Sequence, residues 1–193
     1  MKRAPEFIVA TGPMFSNKTT FLLSYVEKCK YQKKKVIAFK PKKDNRYGDE
    51  EIVSHNGWKI PAHVIETGDD IIRTLASDDV VYDVIAIDEL FMVPGAAAAL
   101  VWAFRSGISV VASTLDLSSR CKSFAEVKKI LPWATKIIKC TAVCEVCGAD
   151  ARYTHMKADL EGTGEIFVGG ASEYEPRCAV HHPFFHEATN DIP

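Results

Sequence analysis

The sequence predicts an α/β protein: a P-loop, doubly wound parallel sheet with a small C-terminal zinc-ribbon-like unit. Three observations predict it. Short apolar runs alternate with helical patterns over the first 140 residues, as a parallel sheet covered on both faces requires. A phosphate-binding sequence joins the first of those runs to the first helix. Beyond Lys139 the alternation stops, and cysteine pairs and glycine turns replace it. The 193 residues therefore divide into an α/β unit at 1–140 and a metal-binding unit at 141–193.

The elements follow in order. Phe7–Thr11 is apolar enough for a buried strand, and Thr19–Lys33 has helical spacing. Lys35–Phe39 is the next strand and Asp69–Ser77 a short helix. Val80–Ile87 is a strand whose last four residues are all apolar. The alanine-rich Ala96–Arg105 is a helix ended by Gly107. Ile108–Ala112 is a strand, Ser123–Leu131 a helix and Thr135–Lys139 the last strand of the series. From Cys144 to His182, short alternating segments such as Arg152–His155 suit hairpins better than another βα unit.

Composition excludes several functions. Twenty-four basic residues stand against twenty-five acidic ones, so no broad field exists to grip nucleic acid or an anionic membrane. No apolar run approaches the roughly 20 residues of a membrane helix. The first residues lack the apolar stretch of a signal peptide, which makes the cytoplasm the expected location. In that reducing compartment, six cysteines suggest metal binding more than disulfides.

Gly12-Pro13-Met14-Phe15-Ser16-Asn17-Lys18-Thr19 follows a strand and opens a helix. It matches the P-loop pattern except at its second glycine, where Asn17 stands. Backbone N–H groups of such a loop converge on phosphates, helped by the helix dipole. In such a loop Lys18 is expected to contact the β- and γ-phosphates of a nucleotide and the Thr19 hydroxyl to ligate Mg²⁺. Asparagine is among the better non-glycine residues at positive φ.

Asp88 and Glu89 end a buried strand, where α/β sheets place their ligands. Asp88 is the expected partner of Mg²⁺. Glu89 beside it is a candidate general base for a hydroxyl. Cys144-x-x-Cys147 and Cys178-x-x-His181 have the spacing of a closed, structural Zn²⁺ site. His182 is an alternative to His181 as the fourth ligand.

Together with the segments between them, these motifs resemble the type II thymidine kinase family from Phe7 to about His182. Lys40-Pro41-Lys42-Lys43-Asp44-Asn45-Arg46-Tyr47 is similar to that family's K-P-x-x-D-x-R-Y segment, and Ser54-His55 to the pair that follows it. Leu115-Asp116 with Phe124 is similar to its L-D loop. Val168-Gly169-Gly170 followed by Tyr174 and Cys178 is similar to the lasso that closes over thymidine. The resemblance implies transfer of the ATP γ-phosphate to the 5′-hydroxyl of thymidine, with Glu89 as base. It implies an ATP site at residues 12–19 and at Asp88, Glu89, Leu90 and Phe91. It places Met14, Leu115, Phe124, Val168, Gly169, Gly170 and Tyr174 around the nucleoside. It also implies a homotetramer and thymidine triphosphate as a feedback ligand.

Asn17 is one departure from the family pattern. The others are Ser119 in place of an aromatic, Phe91 in place of glutamine, and His181 where many members have cysteine. Two other functions stay open on the residues alone. One is a nucleotide-binding relative with weakened catalysis, motivated by Asn17 and Phe91. The other is a zinc-ribbon nucleic-acid module, for which no basic stripe speaks.

Overall fold

Phe7–Thr11 forms strand β1 and is buried along its whole length, as its uninterrupted apolar sequence requires. The computed structural model describes residues 4–44, 50–157 and 168–186. After β1 come helix α1 (Lys18–Tyr31), β2 (Val36–Pro41), β3 (Glu51–Val53), β4 (Lys59–Pro61), β5 (His63–Ile65) and α2 (Gly68–Ser77). Then follow β6 (Val84–Ile87), a 3-10 turn at Leu90–Met92, α3 (Ala96–Arg105), β7 (Ser109–Thr114), α4 (Ala125–Ile130) with a 3-10 turn at Leu131–Trp133, and β8 (Lys136–Lys139). The C-terminal part holds β9 (Ala142–Val143), β10 (Asp150–Ala151), β11 (Tyr153–Met156), β12 (Tyr174–Arg177) and a last 3-10 turn at Pro183–Phe185.

Six strands pair in the order β5-β2-β6-β7-β1-β8, and every pair is parallel. One face of the sheet carries α1, whose Leu22, Leu23 and Val26 pack on Ile8, Ala38, Val84 and Val111. The other carries α2, α3 and α4 over Phe7, Val9, Phe39, Ile85 and Val110. Adjacent strand residues thus serve opposite cores, which is why the strands are apolar without alternation.

This order places β7 between β1 and β6. The loop after β1 and the acids after β6 face each other across the end of β7, an arrangement that opens a ligand crevice at the carboxyl edge. Beyond the sheet, β9 pairs with β10 and β11 with β12, all antiparallel, in keeping with a hairpin-built appendage.

Several boundaries differ from the sequence expectation: β2 runs on to Pro41 and β7 to Thr114, and α4 covers Ala125–Ile130 rather than Ser123–Leu131. The strand expected at Val80–Ile87 begins only at Val84. Asp78 accepts from the Val80 N–H at 3.0 Å and from the Tyr82 hydroxyl, which turns the chain there, and Val81 is exposed. The first helix ends at Tyr31, not Lys33; Lys33 turns into the left-handed region at φ 58°. The β3–β4 hairpin and edge strand β5 were not anticipated, because three-residue strands carry too little periodicity to register.

Candidate phosphate and metal sites

The loop between β1 and α1 is shaped by sterics. A side chain on Gly12 would collide with the Cys140 carbonyl oxygen at the end of β8, so only glycine admits that close approach. Phe15 and Asn17 both sit in the left-handed region, at φ 63° and 59°. Asn17 caps α1 in that conformation without a side-chain hydrogen bond to the helix. The residue that replaces the pattern's glycine therefore adopts a glycine-like backbone, which asparagine tolerates better than most.

Lys18 is buried, and its Nζ donates to the Pro13 carbonyl at 2.6 Å. Burial lowers its pKa, while the charges of Glu89 and Asp88 oppose that shift. Across the crevice the Thr19 hydroxyl lies 3.2 and 3.1 Å from the two oxygens of Asp88. Ser113, at the end of β7, donates to the same carboxylate. Burial, and then the neighbouring Glu89 charge, push Asp88 up to about 7, against the pull of the Ser113 and Thr19 hydroxyls. A buried acid held this high is poised to give up its proton to a cation. Sequence reasoning missed Ser113, since a serine at a strand end carries no motif.

Glu89 opens the 3-10 turn at φ 47°, ψ 44°, a conformation that costs a non-glycine residue on the order of 1–3 kcal/mol and tends to cluster at working sites. It borders a small cavity with Asp88, Lys40, Asp44, Glu51 and His55. Lys40, Asp44 and His55, picked out by the resemblance, therefore line the cavity with the acids, Ser54 is buried and bonds to Trp58, and Asn45, Arg46 and Tyr47 fall outside the described residues. Leu90 and Phe91 turn inward. Leu90 is fully buried, and the ring centroids of Phe91 and Phe124 are 4.5 Å apart. Both share one apolar cluster with Leu115, Phe124, Met14 and Val168. Gly169 and Gly170 sit against Tyr174: a side chain on Gly169 would press on its ring, and the Tyr174 N–H donates to the Gly170 carbonyl at 3.0 Å.

Cys144, Cys147, Cys178 and His181 place their ligand atoms within 4.8 Å of one another. The Cys147 and Cys178 sulfurs are 3.8 Å apart, and His181 Nδ1 lies 3.2 Å from Cys178 and 3.9 Å from Cys144. A tetrahedral ion with metal–sulfur bonds of about 2.3 Å would separate its sulfurs by about 3.8 Å, so the cluster fits Zn²⁺. Burial works against ionisation of Cys144, yet backbone N–H groups of Cys178, Val146 and Cys147 outweigh it and bring the thiol down to about 6. Gly148, at φ 74°, closes that turn by donating to the Cys144 carbonyl at 2.9 Å. His182 faces away from the cluster, so the structure gathers His181 and not its neighbour.

A parallel sheet with a P-loop after its first strand, and an acid across the crevice, defines the P-loop nucleotide-binding class. Within that class, the family model described as thymidine kinase matches residues 6–182. The chain is 40% identical over 182 residues to a thymidine kinase of Thermococcus kodakarensis, covering 90% of this chain and 92% of the relative. It is 34% identical over 182 residues to one of Pyrobaculum aerophilum, covering 91% and 97%. This chain belongs to the thymidine kinase family.

Proposed function

We propose that this protein phosphorylates thymidine at its 5′-hydroxyl with ATP, using the loop of residues 12–19 and the acids Asp88 and Glu89. The observation that carries the residue assignment is the Thr19–Asp88 contact at 3.1–3.2 Å beside buried Lys18. It brings together the hydroxyl, carboxylate and ammonium that phosphoryl transfer needs. Mg²⁺, held by Thr19 and Asp88, would neutralise charge on the β- and γ-phosphates. Loop N–H groups and Lys18 hold the same oxygens, and Lys18 leaves the Pro13 carbonyl to do so. Glu89 accepts the proton of the attacking hydroxyl.

The nucleoside lies against Met14, Leu115, Phe124 and Val168, with Gly169, Gly170 and Tyr174 closing over it. Main-chain groups of that closing segment read the base, and a wrong base edge leaves them unpaired. The zinc knot belongs to a unit spanning 141–193 and has a structural role, because its four ligands leave no open position. The family resemblance implies a cytoplasmic protein; among the described residues no helix is long and apolar enough to cross a membrane. We also propose a homotetramer regulated by thymidine triphosphate, the state the family resemblance implies. Trp102 and Trp133, which are 50% and 44% exposed, flank a surface groove of mixed character, with Ala97, Ala98 and Val101 beside Arg105, Ser106 and Lys129, and self-association would cover its apolar part.

The test is acceptor choice. With ATP and Mg²⁺, thymidine should be converted to its 5′-monophosphate at a rate that deoxycytidine and deoxyguanosine do not approach. Equal rates with all acceptors, or none with thymidine, would refute the reading.

A further inference from the structure

His181 and His182 are neighbours on one turn, yet their rings serve different ends. His181 faces the three thiols. His182 is 2% exposed, and its Nε2 lies 3.1 Å from the Thr154 carbonyl oxygen in β11. A carbonyl only accepts, so Nε2 donates in this contact. Cys121 stands 4.0 Å from the other ring nitrogen, Nδ1, and it lies in the loop between Leu115 and Phe124. A buried imidazole is costly unless hydrogen-bonded, so these partners fix where the ring sits.

Thr154 then reaches the phosphate loop. Its hydroxyl accepts from the Met14 N–H at 3.0 Å. The next loop residue, Phe15, packs on Cys144, Cys178, Ala142 and Ala151 of the metal knot. Two consecutive residues of a strained loop therefore lean on the C-terminal unit, one by a hydrogen bond and one by packing. Among the described residues, the Met14 N–H takes this support from β11 rather than from the sheet.

We propose that His182 is a positioning residue that couples the metal knot to the phosphate loop, holding Thr154 so that its hydroxyl fixes the Met14 N–H. The knot then does more than hold its own hairpins together: it sets the loop's geometry for the nucleotide. This rests on residues 12–19 being the ATP loop.

Calorimetric titration of Mg-ATP, with metal analysis of each protein, tests it. His182→Ala should keep about one zinc per chain yet weaken ATP binding about fivefold, the scale of one buried hydrogen bond. His182→Gln, whose amide can still donate to the Thr154 carbonyl, should recover most of that loss. Thr154→Val should weaken binding to the same degree, and the double variant with His182→Ala should bind no more weakly than either single, because both changes cut one chain of contacts. Zinc loss in His182→Ala, unchanged ATP affinity, no rescue by glutamine, or additive losses in the double variant would each overturn the coupling. Failure of the unsubstituted protein to bind Mg-ATP would sink the ATP-loop reading itself, a result distinguishable from all of these.

Discussion

Asn17 concentrates the question of how far this loop departs from a standard phosphate loop. It holds φ 59° and ψ 26° without side-chain compensation from the helix it caps, so the protein carries local strain where glycine would carry none. Because the fold itself already holds that conformation, Asn17→Gly should stabilise the fold by on the order of 1 kcal/mol and leave ATP affinity essentially unchanged. Weaker binding by the glycine variant would instead make the Asn17 amide a phosphate ligand. Asp88 offers a second handle through pH. Its carboxyl is held near 7 in the folded protein against an ordinary value of 3.8. The folded state therefore binds a proton that the unfolded state has lost between roughly pH 4 and 7, and stability from this group falls as pH rises through that window. Mg²⁺ binding needs the ionised form, so saturating Mg²⁺ should raise the thermal midpoint more at pH 8 than at pH 6. Asp88→Asn should remove that difference; an equal shift at both pH values in the unsubstituted protein would contradict the assignment.

At the scale of elements, the sequence announced what is long or chemically constrained and hid what is short. β1 and α3 carry the boundaries their apolar spacing predicts. Phe7–Thr11 has no polar residue before its end, and Gly107 is needed at φ 92° just beyond Arg105. The false start at Val80 had a different cause: Val80 and Val81 look like strand residues, but a side-chain bond from Asp78 captures the backbone first. The four members of the Cys/His cluster were legible because C-x-x-C and C-x-x-H pairs have the spacing of a tetrahedral metal site. The choice of His181 over His182 was not legible, since adjacent residues differ only in how the turn presents them. Cys178→Ser removes a ligand whose sulfur lies 3.8 Å from Cys147 and 3.2 Å from His181. Zinc content should fall from about one per chain to near zero, and the thermal midpoint should drop with it, because the apolar cluster around Cys144 and Cys178 holds, among the described residues, only Ala142, Ala151 and Phe15 besides. Full zinc retention would mean that a different set of residues binds the metal.

Across the whole molecule, the site is a product of strand order. Gly12 and Asp88 are 76 positions apart in the chain, and the crossovers that seat β7 between β1 and β6 bring their loops to one edge. The loop of residues 12–19 and the acids Asp88 and Glu89 could be picked out in advance, because the P-loop pattern constrains residue types at fixed spacing. Ser113, Thr154 and His182 could not, because each acts through a partner that only the tertiary fold supplies. The central claim is that this assembled edge transfers phosphate to thymidine with Glu89 as base. Its most direct measurement is the rate of thymidine monophosphate formation by the unsubstituted protein and by Glu89→Gln, at saturating ATP, thymidine and Mg²⁺, with ATP affinity determined in parallel. The account predicts turnover by the former and a fall of roughly 10²–10⁴ in kcat for the latter, with ATP binding preserved. Near-normal turnover by Glu89→Gln, or no product from the unsubstituted protein, would contradict it.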